Sequence, residues 1–511
     1  MSAVIENSIS PLYAVIDLGS NSFHMLITRQ LANSVQVVDK VKRKVRLASG
    51  LDKNNLLSET AIARGLECLS FFAERLQDIP PDNIRIVATA TVRLATNRDL
   101  FLSAANHVLG HKIVLLSGLQ EAENIYLGVA HTSCSAKDKL VLDIGGASTE
   151  LIIGSGFSIK HAISVDMGCV TFNKLFFADG KITKNSFSNA TAHAKKTLAP
   201  HLTHYKALGW QAVLGGSGTI QALAEVLMFE KKPALITLTF LHQIKTKIQQ
   251  FNYIDDIRIG GLSSERIPVF ASGLTILIAL FESLNIDQLQ LSSGALREGL
   301  LYEMLPNSRN IAIRYRTLNG LSLKFHIDTL HAQRIQNQVT TLLGNFAPTW
   351  QLVDENHAQL LNAATSLHEI GLLLEYKRHQ QHGAYLLNNA DIPGFEQAER
   401  QFIAAMVKLY KGGIDVELLK SLSIMSFNHA CYYLAILRLA IILCRRRQDD
   451  VLPDYQAKVD ENTIYLCLPE LWLQQHPLIA DELLQEHKEL QKIGLRLTIY
   501  CEPKHPLHKD V

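Results

Sequence analysis

Apolar and polar positions first fall into short runs of strand period. AVIDLGSNSFHMLI at 14–27 and LVLDIGGASTELII at 140–153 align without a gap. Each copy sets apolar, β-branched flanks around a centre of Gly with Ser, Asn or Ala, the composition of a buried strand that turns tightly into a second strand. Self-similarity of this kind marks a duplicated unit. Between the copies, helical periodicity over 58–76 and 98–108 alternates with strands at 84–88 and near 113–116. After the second copy come a strand near 159–165, a helix from about 186 to 198, and a strand at 212–214 that enters a glycine loop, GGSGTI, at 215–220. A third glycine turn, LSSGALREG at 291–299, follows a strand at 288–291 and leads into a helix over 296–305. The pattern predicts two similar mixed α/β lobes, 1–124 and 125–305.

After Pro306 the period changes to 3.6. Apolar stripes at 332–343, 357–374, 399–410 and 429–444 predict a helical domain over 306–448. The tail, 449–511, reads as a small α/β unit: a strand at 463–468, a helix at 476–493 and a strand at 495–501. One stretch, 267–280, is apolar throughout, but it is short of the roughly 20 residues a membrane helix requires. It is expected to be a buried helix, and no membrane association is expected.

Composition narrows the function. Of 511 residues, 47% are apolar and 19% charged, enough to bury large cores. Lys+Arg number 50 against 48 Asp+Glu, a formal charge of +2, which argues against a protein that holds nucleic acid by charge alone. Any anion site must be local. The cysteines (68, 134, 169, 431, 444, 467 and 501) are scattered, with no CxxC pair for zinc or redox work. A reduced, cytoplasmic protein is the simplest reading. The start, MSAVIENSISPLYAVIDLG, lacks the basic region and unbroken apolar core of a secretory signal.

The candidate chemistry sits in the turns. Successive backbone N–H groups at Ser20, Asn21 and Ser22, and at Gly145, Gly146, Ala147 and Ser148, can form concave donor nests that small side chains leave open to phosphate. Ser217, Gly218 and Thr219 offer a third such loop. Two nests facing each other across a cleft would grip one phosphate chain. Asp143 ends a strand and Glu150 lies on the returning one, so both can present hard oxygens suited to Mg²⁺ at the same turn. Arg93 is either a bidentate phosphate fork or a surface cation. KVKRKVR at 40–46 is either a solvated strand edge or a contact surface for a highly anionic substrate, and RRR at 445–447 carries the same ambiguity. Arg297 with Glu298 reads equally as a helix-end ion pair. His24 occupies the place of Glu150 in the first copy and reads as a strand residue near the cleft.

Two DxGxxS turns look like the superfamily of acetate and sugar kinases, actin and the heat-shock chaperones. VATATVRLATN, SGLQEAENIYLGV, VDMGCV, GGSGT and SSGALREGLLYEML narrow this, and together with the repeats they resemble the exopolyphosphatase / guanosine pentaphosphate phosphohydrolase family. The likeness continues through SLHEIGLLL and HGAYLLNNADIPGF. LYAVIDLGSNSFHML, KRKVRLASGL, ERLQDIPP and RLAIILCRRRQDD look closer to the guanosine pentaphosphate member. The resemblance implies two actin-like lobes with duplicated phosphate-binding hairpins, a mostly α-helical HD-like domain and the small α/β tail. It implies Asp143 and Glu150 as Mg²⁺ ligands, Asp17 assisting through water, and Glu121 as the general base. The implied substrate is guanosine pentaphosphate, with inorganic polyphosphate as the alternative, and the implied assembly is a homodimer. SLHEIGLLL with His379 and His382 resembles the metal-dependent His-Asp phosphohydrolase fold. There an Asp follows the motif's His, whereas His368 is followed by Glu369, so a helical scaffold without a working metal site is expected.

Overall fold

The repeated sequence folds twice into the same meander. A computed structural model describes residues 11–31, 34–133, 138–305, 313–390 and 392–500; Cys134, Pro306 and Cys501 lie outside them. The chain separates into two compact units, Met1–Ile313 and Arg314–Val511.

In the first unit, β1 (Leu12–Leu18), β2 (Ser22–Leu31) and β3 (Ser34–Lys44) form an antiparallel meander, and β4 (Ile84–Ala88) and β5 (Ile113–Leu115) extend it in parallel, in the order β3-β2-β1-β4-β5. The second lobe repeats the scheme. Here β6 (Asp138–Ile144), β7 (Thr149–Ser155) and β8 (Ser158–Val165) form the meander, and β9 (Ala212–Gly215) joins β6 in parallel. β10 (Leu235–Thr237) and β11 (Gln288–Leu291) complete the order β10-β11-β9-β6-β7-β8. Both copies carry a register break at the same place, Ile27/Thr28 in the first and Ile153/Gly154 in the second. β1 and β6 also share one burial pattern. Their unbroken apolar runs follow, because helices cover both faces of each strand. These are the two actin-like lobes the sequence predicts.

Helices Gly118–Thr132 and Leu296–Met304 pack between the two sheets, sharing a core that includes Val15, Val87, Ile125, Val141, Ile152 and Leu300. They cross so closely that a Cβ on Gly128 would lie 2.0 Å from the Ala295 carbonyl, and one on Gly299 would lie 1.8 Å from that of Asn124. The apolar stretch at 267–280 belongs to a longer helix, Ile267–Leu284, long and apolar enough by composition to span a membrane, with most of its residues in the second lobe's core.

In the second unit the helices predicted near 332–343, 399–410 and 429–444 appear as Thr329–Trp350, Gln397–Leu409 and Phe427–Leu443. The stripe at 357–374 is not one helix. It breaks after Glu355–Leu367 and resumes as a 3₁₀ turn, Ile370–Leu373, in which Gly371 approaches the His379 carbonyl so closely that a Cβ there would lie 1.9 Å from it. β12 (Gln456–Asp460), β13 (Thr463–Cys467) and β14 (Arg496–Tyr500) form a three-stranded sheet that shares one core with these helices. A buried ion pair ties helix Phe427–Leu443 to helix Pro477–Gln491. Arg438 donates Nε and Nη2 to Glu486, each at 2.7 Å, and its remaining donors reach the carbonyls of Leu409 and Gly412. Removing one partner of such a pair strands a buried charge, so Glu486→Ala is expected to cost about 3–5 kcal/mol, read as a lowered urea midpoint of the second unit's transition.

Candidate active site

The two hairpin turns meet. A Cβ on Gly146 would lie 2.5 Å from the Cβ of Ser20, so only glycine lets the second turn close on the first. The carbonyls of both turns are taken by the protein: Arg46 and Ala48 donate to Asn21 and Ser20, and Cys169 and Val170 donate to Gly145 and Gly146, at 2.8–2.9 Å. That turns the carbonyls inward, and the turn residues line a cavity of about 410 Å³ between the lobes. Helix Gly218–Phe229 starts at the same cavity. Ser217 caps it, accepting from Ile220 N–H, so its free first-turn donors and positive dipole end suit an anion.

Sheet register sets the carboxylates. Asp17 pairs with His24 across β1 and β2, and Asp143 pairs with Glu150 across β6 and β7, the same station in each repeat. Glu150 is buried and accepts from Ser164 Oγ at 2.7 Å. Glu121 lies in the first turns of helix Gly118–Thr132, whose entry is fixed by a capping box between Ser117 and Gln120. It is buried, with Arg93 Nη1 at 3.2 Å from its carboxylate. These acids raise one another. Asp143 is pushed up to about 7, first by desolvation and then by Glu121 and Asp17. Glu150 also rises to about 7, by desolvation and Asp143, and Asp17 to about 6 by desolvation. Glu121 is held well above the usual carboxylate range by desolvation and by Glu150, against the opposing pull of Arg93. Asp17 Oδ1 and Ser22 Oγ are buried without a hydrogen-bond partner. An acid cluster only partly offset by Arg93 and Ser164, with an orphaned oxygen on Asp17, fits a hard divalent cation.

Cations hold the other side. Arg297 turns into the cavity, donating Nη1 to His24 Nδ1 at 3.3 Å, while Glu298 takes the Ala295 N–H; the two do not pair as a helix-end bridge. Burial and then Arg297, Lys42 and Arg266 push His24 down to about 3, so it is a neutral acceptor. Arg266 lies against Gly218, where a Cβ would come within 2.1 Å of its Nη1.

Of the residues predicted from sequence, Asp17, Ser20, Asn21, Ser22, Glu121, Asp143, Gly145, Gly146, Ser148, Glu150, Ser217, Gly218 and Thr219 all line this one cavity. Ala147 is buried behind its turn, and Arg93 stands behind Glu121, also donating to the Leu116 carbonyl at 2.8 Å. Arg266, Gln221, Thr89 and Ala90 line the cavity without having been singled out. Arg266 carried a weak signal, an arginine just before the apolar helix; nothing local marks the others. Lys40 and Lys42 resolve part of the basic run's ambiguity by lining the cavity from β3, the edge strand. In the second unit, a ring nitrogen from each of His331 and His368 and a carboxylate oxygen of Glu369 lie within 4.8 Å of one another. Arg447 forks onto Glu369 there. His379 instead contacts Tyr376 and Tyr410, and His382 contacts Glu375.

The model of the Ppx/GppA phosphatase family matches residues 26–308, and that of its domain III matches 313–487. The chain belongs to the Ppx/GppA phosphatase family. It is 46% identical to a guanosine-5'-triphosphate,3'-diphosphate pyrophosphatase of Pseudoalteromonas translucida over 96% of this chain and 98% of the relative. It is equally similar, at 46%, to one of Photobacterium profundum over 97% and 99%. An exopolyphosphatase from Cytophaga hutchinsonii shares the fold over 57% of this chain and 97% of its own, with a TM-score of 0.52 and 23% identity. As a family member the chain is a phosphoanhydride hydrolase.

Two outcomes follow for this cleft. Gly218→Ala should displace the flexible end of Arg266 without disturbing the fold: substrate KM should rise roughly tenfold, with Tm unchanged in a thermal scan. A carboxylate whose folded pKa lies above its unfolded one contributes stability that is lost as pH rises, here between about 4 and 7. Asp143→Asn escapes that loss. In chelator, the variant's Tm should exceed the parent's by several degrees at pH 8, and the gap should close towards pH 4.

Proposed function

We propose that this phosphatase removes the terminal 5′ phosphate of guanosine pentaphosphate, giving guanosine tetraphosphate and orthophosphate, in alarmone metabolism of the stringent response. The observation that carries the reading is the meeting of both phosphate turns with Asp143, Glu150 and Glu121 around one cavity. The near full-length likeness to enzymes named for this substrate supports the choice of nucleotide.

Asp143 and Glu150 would hold Mg²⁺, with Asp17 assisting through water. When bound, the ion offsets charge on the phosphate oxygens. The turns at Ser20–Ser22 and Gly145–Ser148, with the Ser217–Thr219 loop, bind the 5′ phosphate chain and fix its axis. Glu121 accepts a proton from a water aligned with the terminal phosphorus. The water oxygen bonds to phosphorus, the bridging P–O bond breaks, and the tetraphosphate leaves with the bridging oxygen. Arg93 orients Glu121 and opposes the rise in its pKa. The same reading has a cytoplasmic homodimer, which rests on the family resemblance.

The alternative is release of terminal phosphate from inorganic polyphosphate by the same residues. Turnover of both substrates by purified protein with Mg²⁺ decides between them; a higher kcat/KM on long polyphosphate than on the pentaphosphate overturns the first reading. Glu121→Gln should lower kcat by about 10²–10⁴-fold while pentaphosphate still binds. Undiminished hydrolysis would remove Glu121 from the role of base.

A further inference from the structure

The repeat that builds the cleft has diverged along one row of side chains. Across β6, β7 and β8 the row reads Asp143, Glu150, Ser164. Across β1, β2 and β3 the equivalent row reads Asp17, His24, Lys42. The second repeat carries a second acid, Glu150, where the first has a neutral His24, and the first repeat ends on Lys42 where the second has Ser164. Strand alternation sorts the basic run. Lys40, Lys42 and Lys44 fall on one face, whereas Arg43 goes to the other, its guanidinium 5.4 Å from the Phe71 ring centre. Lys40 and Lys42 line the cavity, and Arg266 lines it from the second lobe.

Lys40, Lys42 and Arg266 add three cations to a cleft that also holds Arg297, more than a single terminal phosphate requires. One of them, Lys42, also has a stand-in partner, which it shares with Lys44. Glu265 comes from the second lobe to 3.5 Å from Lys42 Nζ and 3.8 Å from Lys44 Nζ, with its side chain 52% exposed. An exposed pair of this kind contributes only about 0–1 kcal/mol. A phosphate dianion carries more charge and more acceptor oxygens than one carboxylate, so it can take the lysines from Glu265.

We propose that Lys40 and Lys42, faced by Arg266, form a second anion subsite for a phosphate group remote from the one being hydrolysed, and that Glu265 is the counter-ion this group displaces. The inference deepens the reading above and rests on it for the identity of the group: in guanosine pentaphosphate it is the 3′-diphosphate. In inorganic polyphosphate it would be a distal stretch of the chain.

Calorimetric titration of the full-length protein with guanosine tetraphosphate and with GDP, which differ by that diphosphate, tests the subsite apart from catalysis. Lys42→Ala should weaken tetraphosphate binding about tenfold and shrink the tetraphosphate-to-GDP affinity ratio by the same factor, with Lys42→Arg restoring it. Glu265→Gln should tighten tetraphosphate binding severalfold, which a merely structural bridge between the lobes would not do. Equal losses for both ligands in Lys42→Ala, or weaker tetraphosphate binding in Glu265→Gln, would overturn the subsite. A second titration with tripolyphosphate and long-chain polyphosphate separates the sources: if the charge-removal effect appears only in the long chain, the distal group is polyphosphate and the 3′-diphosphate assignment falls. Failure of the functional reading shows elsewhere, as absent pentaphosphate turnover by the parent enzyme.

Discussion

Four carboxylates share one desolvated cleft, and much of the surrounding structure follows from that. Burial first, and then repulsion from neighbouring acids, lift Asp143 and Glu150 at the second hairpin to about 7. Desolvating like charges together opposes folding unless protons, cations or hydrogen bonds offset it. The chain uses small local offsets, Ser164 on Glu150 and Arg93 on Glu121, and leaves Asp17 Oδ1 unpartnered. The balance left over is the binding capacity of the site. A fold that neutralised these acids internally would be more stable and would have less to offer a cation.

Holding the acids in place falls to backbone. Each pair sits at fixed stations of a meander, where register leaves no choice of face: a one-residue slip would turn Asp143 away from the cleft. The turns between those strands are held by neighbours that take their carbonyls, the segment at Arg46–Ala48 for one and the start of helix Cys169–Phe176 for the other. Gly146 then sets how near the lobes come, by its contact with Ser20. The helices that cross at Gly128 and Gly299 also reach the cleft, through Glu121, Ile125 and Arg297, so close backbone contacts help fix its floor.

This explains what was legible in the sequence. The hairpins, their acids and the Ser217–Thr219 loop are local objects, with glycine, small residues and β-branched flanks close together in the chain, and they appear where the pattern puts them. What depended on distant segments was not legible. Arg266 reaches the cleft only because Gly218, 48 positions earlier, leaves room for its guanidinium. The choice of Arg297 between Glu298 and His24 was settled by Glu298 capping its own helix. Helix 357–374 read as continuous because its apolar period runs on through the break between Glu355–Leu367 and the 3₁₀ turn Ile370–Leu373. β12 has alternating exposed and buried positions but is only five residues long, too short to stand out from a polar tail.

The second unit shows the same electrostatic problem with another answer. His331, His368 and Glu369 converge as a metal site would, and His368 Nδ1 lies 2.8 Å from the Thr365 carbonyl, in hydrogen-bond reach. Yet the positive charge facing Glu369 belongs to Arg447, which also reaches Asp328 at 3.3 Å. A guanidinium supplies charge and two parallel donors without requiring an ion, and it satisfies a carboxylate that a longer Glu side chain brings further out than Asp would. The contrast with the cleft is instructive. There Arg93 closes on Glu121, but Arg297 and Arg266 rest on a neutral histidine and on a glycine, so their remaining donors stay open to an anion. Where the arginine closes on the acid, the charge is settled within the protein. Where it is held short of the acid, the charge remains available to substrate.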